Sequence, residues 1–206
     1  MNNERGFTLA EMLVVCAIVG LVMAGMLGLV MAGQQAYWFG TTQVDAQQTV
    51  RVALERMIKE IREAGYHPRV PDTSPATCAA PPCYSFDAVG TGASTTSLTL
   101  LYDWSGDGTS AASGTVTDPI LNAARGERVT YSYASGNLTR QEIGIDGSPV
   151  TIASGITGLA FSYFADDGTA TTTPANIRTV AVTVTAQTAN KGAYVTMSDR
   201  VRLRNR

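Results

Sequence analysis

The feature that most limits what this chain can fold into is an apolar run, Met12 to Gly33, without one charged or strongly polar side chain. A bilayer core is crossed by about 20 consecutive apolar residues in helical form, and a helix is the single-strand solution that satisfies its own backbone there. The uncharged stretch continues to Val44. Arg5 precedes it and the next positive charge is Arg51, so the leader is expected on the cytoplasmic side and the rest across the membrane. Tyr37, Trp38 and Phe39 form an aromatic cluster suited to the far headgroup region. A secretory signal would have a shorter apolar region, followed by a small-residue cleavage site. Here helical periodicity continues straight through. A plain signal anchor is the other alternative, and Gly6 with Glu11 argues against it. Gly20, Gly25, Gly28 and Gly33 lie in the same helix, where small residues let membrane helices pack closely. Cys16 reads there as a small hydrophobe.

A polar leader, residues 1–6, ends in Gly6, and Phe7-Thr8-Leu9-Ala10-Glu11 follows. Glu11 is a lone carboxylate at the head of a membrane helix, where an unpaired charge costs about 3 kcal/mol at mid-helix and less near the end. The hexapeptide Gly6–Glu11 resembles the cleavage and methylation signal of type IV prepilins. The resemblance implies cleavage after Gly6, N-methylation of Phe7 and a role for Glu11 in subunit assembly. Cleavage would leave a positive amine on Phe7. A neighbour's amine at ~4 Å would attract Glu11 by about 4 kcal/mol at an effective dielectric near 20, offsetting desolvation and setting axial register. A carboxylate snorkelling at the interface is the bland alternative.

Beyond the aromatic cluster, Val50, Leu54, Met57, Ile61 and Ala64 recur at spacings of four and three, giving one apolar stripe. Arg51, Glu55, Lys59 and Glu63 form an i,i+4 ladder of opposite charges, and Gly65 supplies the stop, with Pro68 beyond. One helix over 7–65 is expected, its segment 12–33 crossing the membrane. Residues 66–96, rich in Pro, Ala, Thr and Gly, read as a loop. From 97 to 206 the signal is β. Leu98–Tyr102, Arg128–Tyr133, Leu138–Ile145, Leu159–Phe164, Arg178–Gln187 and Tyr194–Leu203 are expected strands. Gly136-Asn137 and Asp166-Asp167-Gly168 are expected turns. The expected fold class is α+β: a long N-terminal hydrophobic helix packed on a single antiparallel sheet.

Candidate chemistry is sparse. Asp103-Trp104-Ser105-Gly106-Asp107-Gly108 matches the first half of a calcium loop, with Asp103, Ser105 and Asp107 as oxygen ligands and Thr109 offering a carbonyl. Position twelve is Gly114 rather than glutamate, so Asp118 or Glu127 would have to complete the shell. The alternative is an Asp/Gly turn capping its own backbone. No cofactor is required by this reading, and calcium is the cation the loop suits. Cys78 and Cys83 flank Ala-Ala-Pro-Pro; in an oxidising compartment they would close a small disulfide loop worth ~2 kcal/mol, and free thiols are the alternative. His67 is the one histidine in the sequence, so Ser-His and metal-His catalysis has nothing to build on, and an enzyme is not expected. A net charge of −2 argues against a nucleic-acid binder. The local exception is Arg200, Arg202, Arg204 and Arg206, which alternate as if sharing one strand face. That pattern reads as a solvated face that discourages edge pairing, a filament contact or a DNA-binding stripe.

Short motifs resemble the PilW-type minor pilins in particular: Gly65-Tyr66, Glu127-Arg-Val-Thr-Tyr131, Leu138-Thr139-Arg140 and Val201-Arg202-Leu203-Arg204-Asn205. The last also resembles the J-type pseudopilins of type II secretion. The resemblance implies a subunit of a tip complex that primes polymerisation. Its partners would be other pilins, a prepilin peptidase, an assembly motor and its platform protein. Its place would be the inner membrane with a periplasmic C-terminal domain before assembly, and the pilus at the cell surface after it. A pseudopilin and a membrane-anchored, calcium-dependent adhesin are the rival readings.

Overall fold

The computed structural model describes residues 7–66, 87–91, 93–105, 110, 115–118, 121–188 and 193–205. Two compact units divide the chain, Met1–Val44 and Asp45–Arg206. Helix α1 spans Leu9–Glu63, close to the expected limits. Within the first unit the side chains of residues 7–40 are exposed, the whole Met12–Gly33 run included, and the helix is long and apolar enough to cross a membrane. Just past the aromatic cluster, the Thr41 hydroxyl donates to the Trp38 carbonyl at 3.1 Å, and Thr42 donates to Trp38 and Phe39 at 3.0 Å. Such back-bonding keeps hydroxyls satisfied in apolar surroundings.

In the second unit the helix buries Ala46, Val50, Ala53, Leu54, Met57 and Ile61. These share one face because four- and three-residue steps return to the same side of a 3.6-residue helix. Arg51 pairs with Glu55 at 3.5 Å on the exposed side, the first rung of the expected ladder. Gly65 ends the helix with φ +77, the left-handed conformation that glycine adopts without a Cβ penalty. Its N–H donates to the Leu101 carbonyl at 2.8 Å. The Asn205 side-chain amide donates to the carbonyls of Glu63 and Ala64 at 3.0 and 3.3 Å, filling acceptors that a helix end leaves open.

The strands are β1 (Ser97–Leu101), β2 (Val116–Asp118), β3 (Ala123–Arg125), β4 (Arg128–Ala134), β5 (Asn137–Glu142), β6 (Val150–Ser154), β7 (Ile156–Phe164), β8 (Thr179–Gln187) and β9 (Tyr194–Arg202). All the named pairings are antiparallel, as expected, but the strands form three sheets instead of one: β1-β4-β5-β6, β2-β3 and β7-β8-β9. The break falls at Gly155, φ +73, where the chain passes from the edge of one sheet straight into the next. Register shifts at Leu138/Thr139 and Ile156/Gly158 accompany it, as expected where a bulge bends a strand. The β4–β5 turn is Ser135-Gly136, both at positive φ (51 and 80), one residue earlier than expected. That is the two-residue type I′ geometry that suits a twisted hairpin. The Asp166–Gly168 turn forms, yet it closes onto a Phe164–Ala170 bridge rather than leading directly to β8.

The core lies between the helix stripe and the inward faces of the two larger sheets. Met57, Ile61, Leu98, Leu100, Tyr131, Leu138, Phe161 and Val182 are all at or below 2 % exposure. β8 alternates strictly, with Val180, Val182, Val184 and Ala186 buried, as its sequence predicts.

Candidate functional site

The N-terminal candidates come first. Gly6 lies outside the described residues, while Phe7 is exposed ahead of the helix. Thr8 is the residue before the first helical turn, and Glu11 stands three residues later. The Glu11 carboxylate accepts the Thr8 N–H at 2.9 Å and the Thr8 hydroxyl at 3.0 Å. In return the Glu11 N–H donates to the Thr8 hydroxyl oxygen at 3.4 Å. This reciprocal arrangement is a capping box. It satisfies two otherwise open N–H groups and puts a negative charge at the positive end of the helix. Sequence reasoning assigned Glu11 a partner in a neighbouring subunit and missed the one within its own chain. The Thr-x-x-Glu spacing directly before an apolar run was the available signal.

The second candidate, the acidic loop, is described in part. Asp107 and Thr109 lie outside the described residues. Asp103 is fully buried, and its carboxylate accepts the Ser105 hydroxyl at 3.1 Å. Glu127, also buried, accepts the Ser105 N–H at 3.0 Å. Of the two residues considered for completing a cation shell, Glu127 therefore joins Asp103 and Ser105. Asp118 instead accepts the Leu121 N–H at 3.0 Å and pairs with Arg125 at 3.6 Å, within the β2–β3 hairpin. Among the described residues no group of three His, Cys, Asp or Glu is placed to hold a metal ion. Cys78 and Cys83 lie outside the described residues, as do His67 and Arg206.

A third site was not anticipated. Glu60 sits at the border of the helix stripe, and its carboxylate accepts the Tyr131 hydroxyl at 2.7 Å and Arg140 Nε at 3.0 and 3.1 Å. Arg56, one turn earlier, reaches it at 3.4 Å. The Arg140 guanidinium also bonds Glu142 at 3.0 Å and pairs with Asp146 at 3.5 Å. Only 12 % of the Arg140 side chain and 16 % of Glu60 are exposed. Burial pushes the Tyr131 phenol well above its ordinary pKa, and the Glu60 charge adds to that. For Arg140 burial works against the charge, yet Glu60 and Glu142 more than offset it and hold the guanidinium protonated. Alongside, the Tyr102 hydroxyl donates to the Glu60 carbonyl at 2.8 Å. Trp104 stacks on Tyr102 at 5.2 Å and meets Tyr66 at 4.8 Å with the rings tilted, and the Arg125 guanidinium lies 4.2 Å from the Trp104 ring centroid. The available signal was Arg140 two residues after Leu138, hence on the same strand face; Tyr131 is its cross-strand partner.

Arg200 and Arg202 share one exposed face of β9, as their alternation predicts, and Arg206 lies outside the described residues. Arg200 lies 3.8 Å over the Phe164 ring, and Arg202 pairs with Asp166 at 2.6 Å. Arg204 leaves the strand and lines a groove beside the helix. Both strand arginines thus also have local partners within the chain.

Residues 1–27 match a family model described as the prokaryotic N-terminal methylation motif. No curated protein matches the chain. The matched segment is type IV prepilin-like, and it implies processing by a prepilin peptidase and association with a membrane; the β-rich unit lies outside the match.

Proposed function

We propose that this chain is a minor pilin of the PilW type, cleaved after Gly6, methylated on Phe7 and incorporated through α1 into a type IV pilus, where it helps prime assembly. The observation that carries this reading is the methylation motif at residues 1–27 placed directly on an exposed apolar helix. For the subtype, support comes from the short PilW-like motifs, which meet at one place. Tyr131 and Arg140 converge on Glu60, Gly65 ends the helix, and Asn205 caps it. On this reading the protein is structural rather than an enzyme. Other pilins, the peptidase and the assembly platform are its partners; the inner membrane and then the pilus are its locations. Calcium is a subsidiary proposal, supported by the two buried carboxylates Asp103 and Glu127 that share Ser105.

Intact-mass analysis of the chain recovered from cells with an active prepilin peptidase tests the proposal. The expected mass lacks residues 1–6 and carries one added methyl group; recovery of the intact leader overturns it. Deletion that abolishes pili but leaves protein secretion intact separates this reading from a pseudopilin. For calcium, the expected result is a raised melting temperature on titration, lost in Asp103→Ala and Asp107→Ala.

A further inference from the structure

Phe7 lies just ahead of helix α1, and its placement is governed by the residue that follows it. Residues 7–10 are exposed, so hydrogen bonding rather than packing directs this end of the chain. Glu11 Oε2 accepts both the Thr8 N–H at 2.9 Å and the Thr8 hydroxyl at 3.0 Å. The same hydroxyl accepts the Glu11 N–H at 3.4 Å. It thus grips Glu11 by side chain and backbone together, and holds in place the carboxylate oxygen that binds the Thr8 N–H.

The effect reaches back to Phe7 through covalent geometry. The Thr8 N–H belongs to the Phe7–Thr8 peptide, whose atoms, the Phe7 Cα among them, lie close to one plane. Anchoring that N–H anchors the plane. In a chain that begins at Phe7, the α-amine is bonded to this Cα at about 1.46 Å, and only ψ of Phe7 still moves it against the plane. Releasing the N–H frees φ and ψ of Thr8 as well, so the amine then wanders over several torsions in place of one.

We infer that Thr8 is a positioning residue for methyl transfer to the Phe7 amine, acting through its hold on Glu11; the inference rests on the prepilin reading above. In this reaction the Phe7 ammonium first gives up a proton to solvent, and the nitrogen lone pair then forms the new N–C bond. The methyl carbon comes from a sulfonium donor, whose C–S bond breaks with its electron pair left on sulfur as a neutral thioether. The product nitrogen carries the positive charge that the donor has lost. Such a displacement needs the lone pair aligned behind the C–S bond, with the reacting atoms about 3–3.5 Å apart. That arrangement is reached more often when fewer torsions are free. Leader removal makes a smaller demand, because the Phe7 nitrogen is then still an amide with chain on both sides. The freed amine is tethered on one side only.

The test follows the full-length chain in detergent with an active prepilin peptidase and a sulfonium methyl donor, reading leader removal and methyl addition separately by intact mass. Thr8→Val keeps the side-chain shape and the N–H but loses the hydroxyl, whereas Thr8→Ser keeps the hydroxyl. Loss of such a cap shifts a first turn about fivefold toward its open form. The expected result is leader removal within about twofold of native for both variants, with methylation of the leaderless chain about fivefold slower in Thr8→Val and within about twofold of native in Thr8→Ser. Native methylation of Thr8→Val, equal slowing of both steps, or a Thr8→Ser chain as slow as Thr8→Val would each overturn the inference alone. A native chain that keeps its leader would overturn the prepilin reading and this inference with it.

Discussion

Two side chains decide most at the residue scale, both carboxylates: Glu11, whose intrachain partner the sequence analysis did not name, and Glu60, which it did not single out. Glu11 serves its own helix before any neighbour is present. Thr8→Ala should therefore cost about 1 kcal/mol at the helix start, read as faster exchange of the first-turn amides in micelles, whereas Thr8→Ser should retain protection. Glu60 is the second. Removing one partner of a buried charge cluster typically costs about 3–5 kcal/mol, because the other charge is left uncompensated. Arg140→Met should lower the melting temperature accordingly, and Arg140→Met with Glu60→Leu together should recover much of the loss. A double variant no more stable than Arg140→Met alone would show that the pairing contributes little. The motif at Glu11 was legible from a handful of residues, because capping and membrane insertion are local. The Glu60 cluster was not: Tyr131 and Arg140 lie 71 and 80 residues from Glu60 in sequence, and the tertiary fold alone brings them together.

At the scale of elements, what was legible followed periodicity. The helix stripe and β8 were read correctly because every third or fourth, or every second, residue is apolar. β2 and β3, at three residues each, are too short to display a period, and β6 is mostly exposed. The division of the sheet escaped notice because its cause is a single backbone conformation at Gly155. Gly126 marks another such junction, between β3 and β4, since a Cβ there would run into the Ile143 carbonyl and the Glu142 side chain. Gly126→Ala is expected to destabilise the unit by about 1–3 kcal/mol through overpacking, visible as a lower denaturant midpoint with an unchanged slope. Truncation in the stripe should cost more: Met57→Ala removes a fully buried side chain, for about 2–5 kcal/mol.

For the whole molecule, the clearest solution property is alkaline sensitivity. Tyr102, Tyr131 and Tyr163 all have phenols pushed above the ordinary value of 10.0, chiefly by burial. A raised acid pKa favours the protonated form in the native state. That contribution is intact below pH ~10 and falls as pH climbs from there through the native values, since the unfolded chain releases the protons first. Phenolate absorbance and circular dichroism should therefore change together above that point, and Tyr131→Phe should weaken the alkaline loss of stability. Separate early phenolate formation without unfolding would contradict the burial of these rings.

The anchoring of α1 by distant residues has a consequence in time. Asn205, which closes the helix end, is made 142 residues after Glu63. At 5–20 residues per second, that interval is roughly seven to thirty seconds. During it the cover of Val50, Met57 and Ile61 arrives piecemeal, from Leu98 and Leu100 first to Val201 and Leu203 last, so each newborn copy passes through a spell with part of its apolar stripe bare.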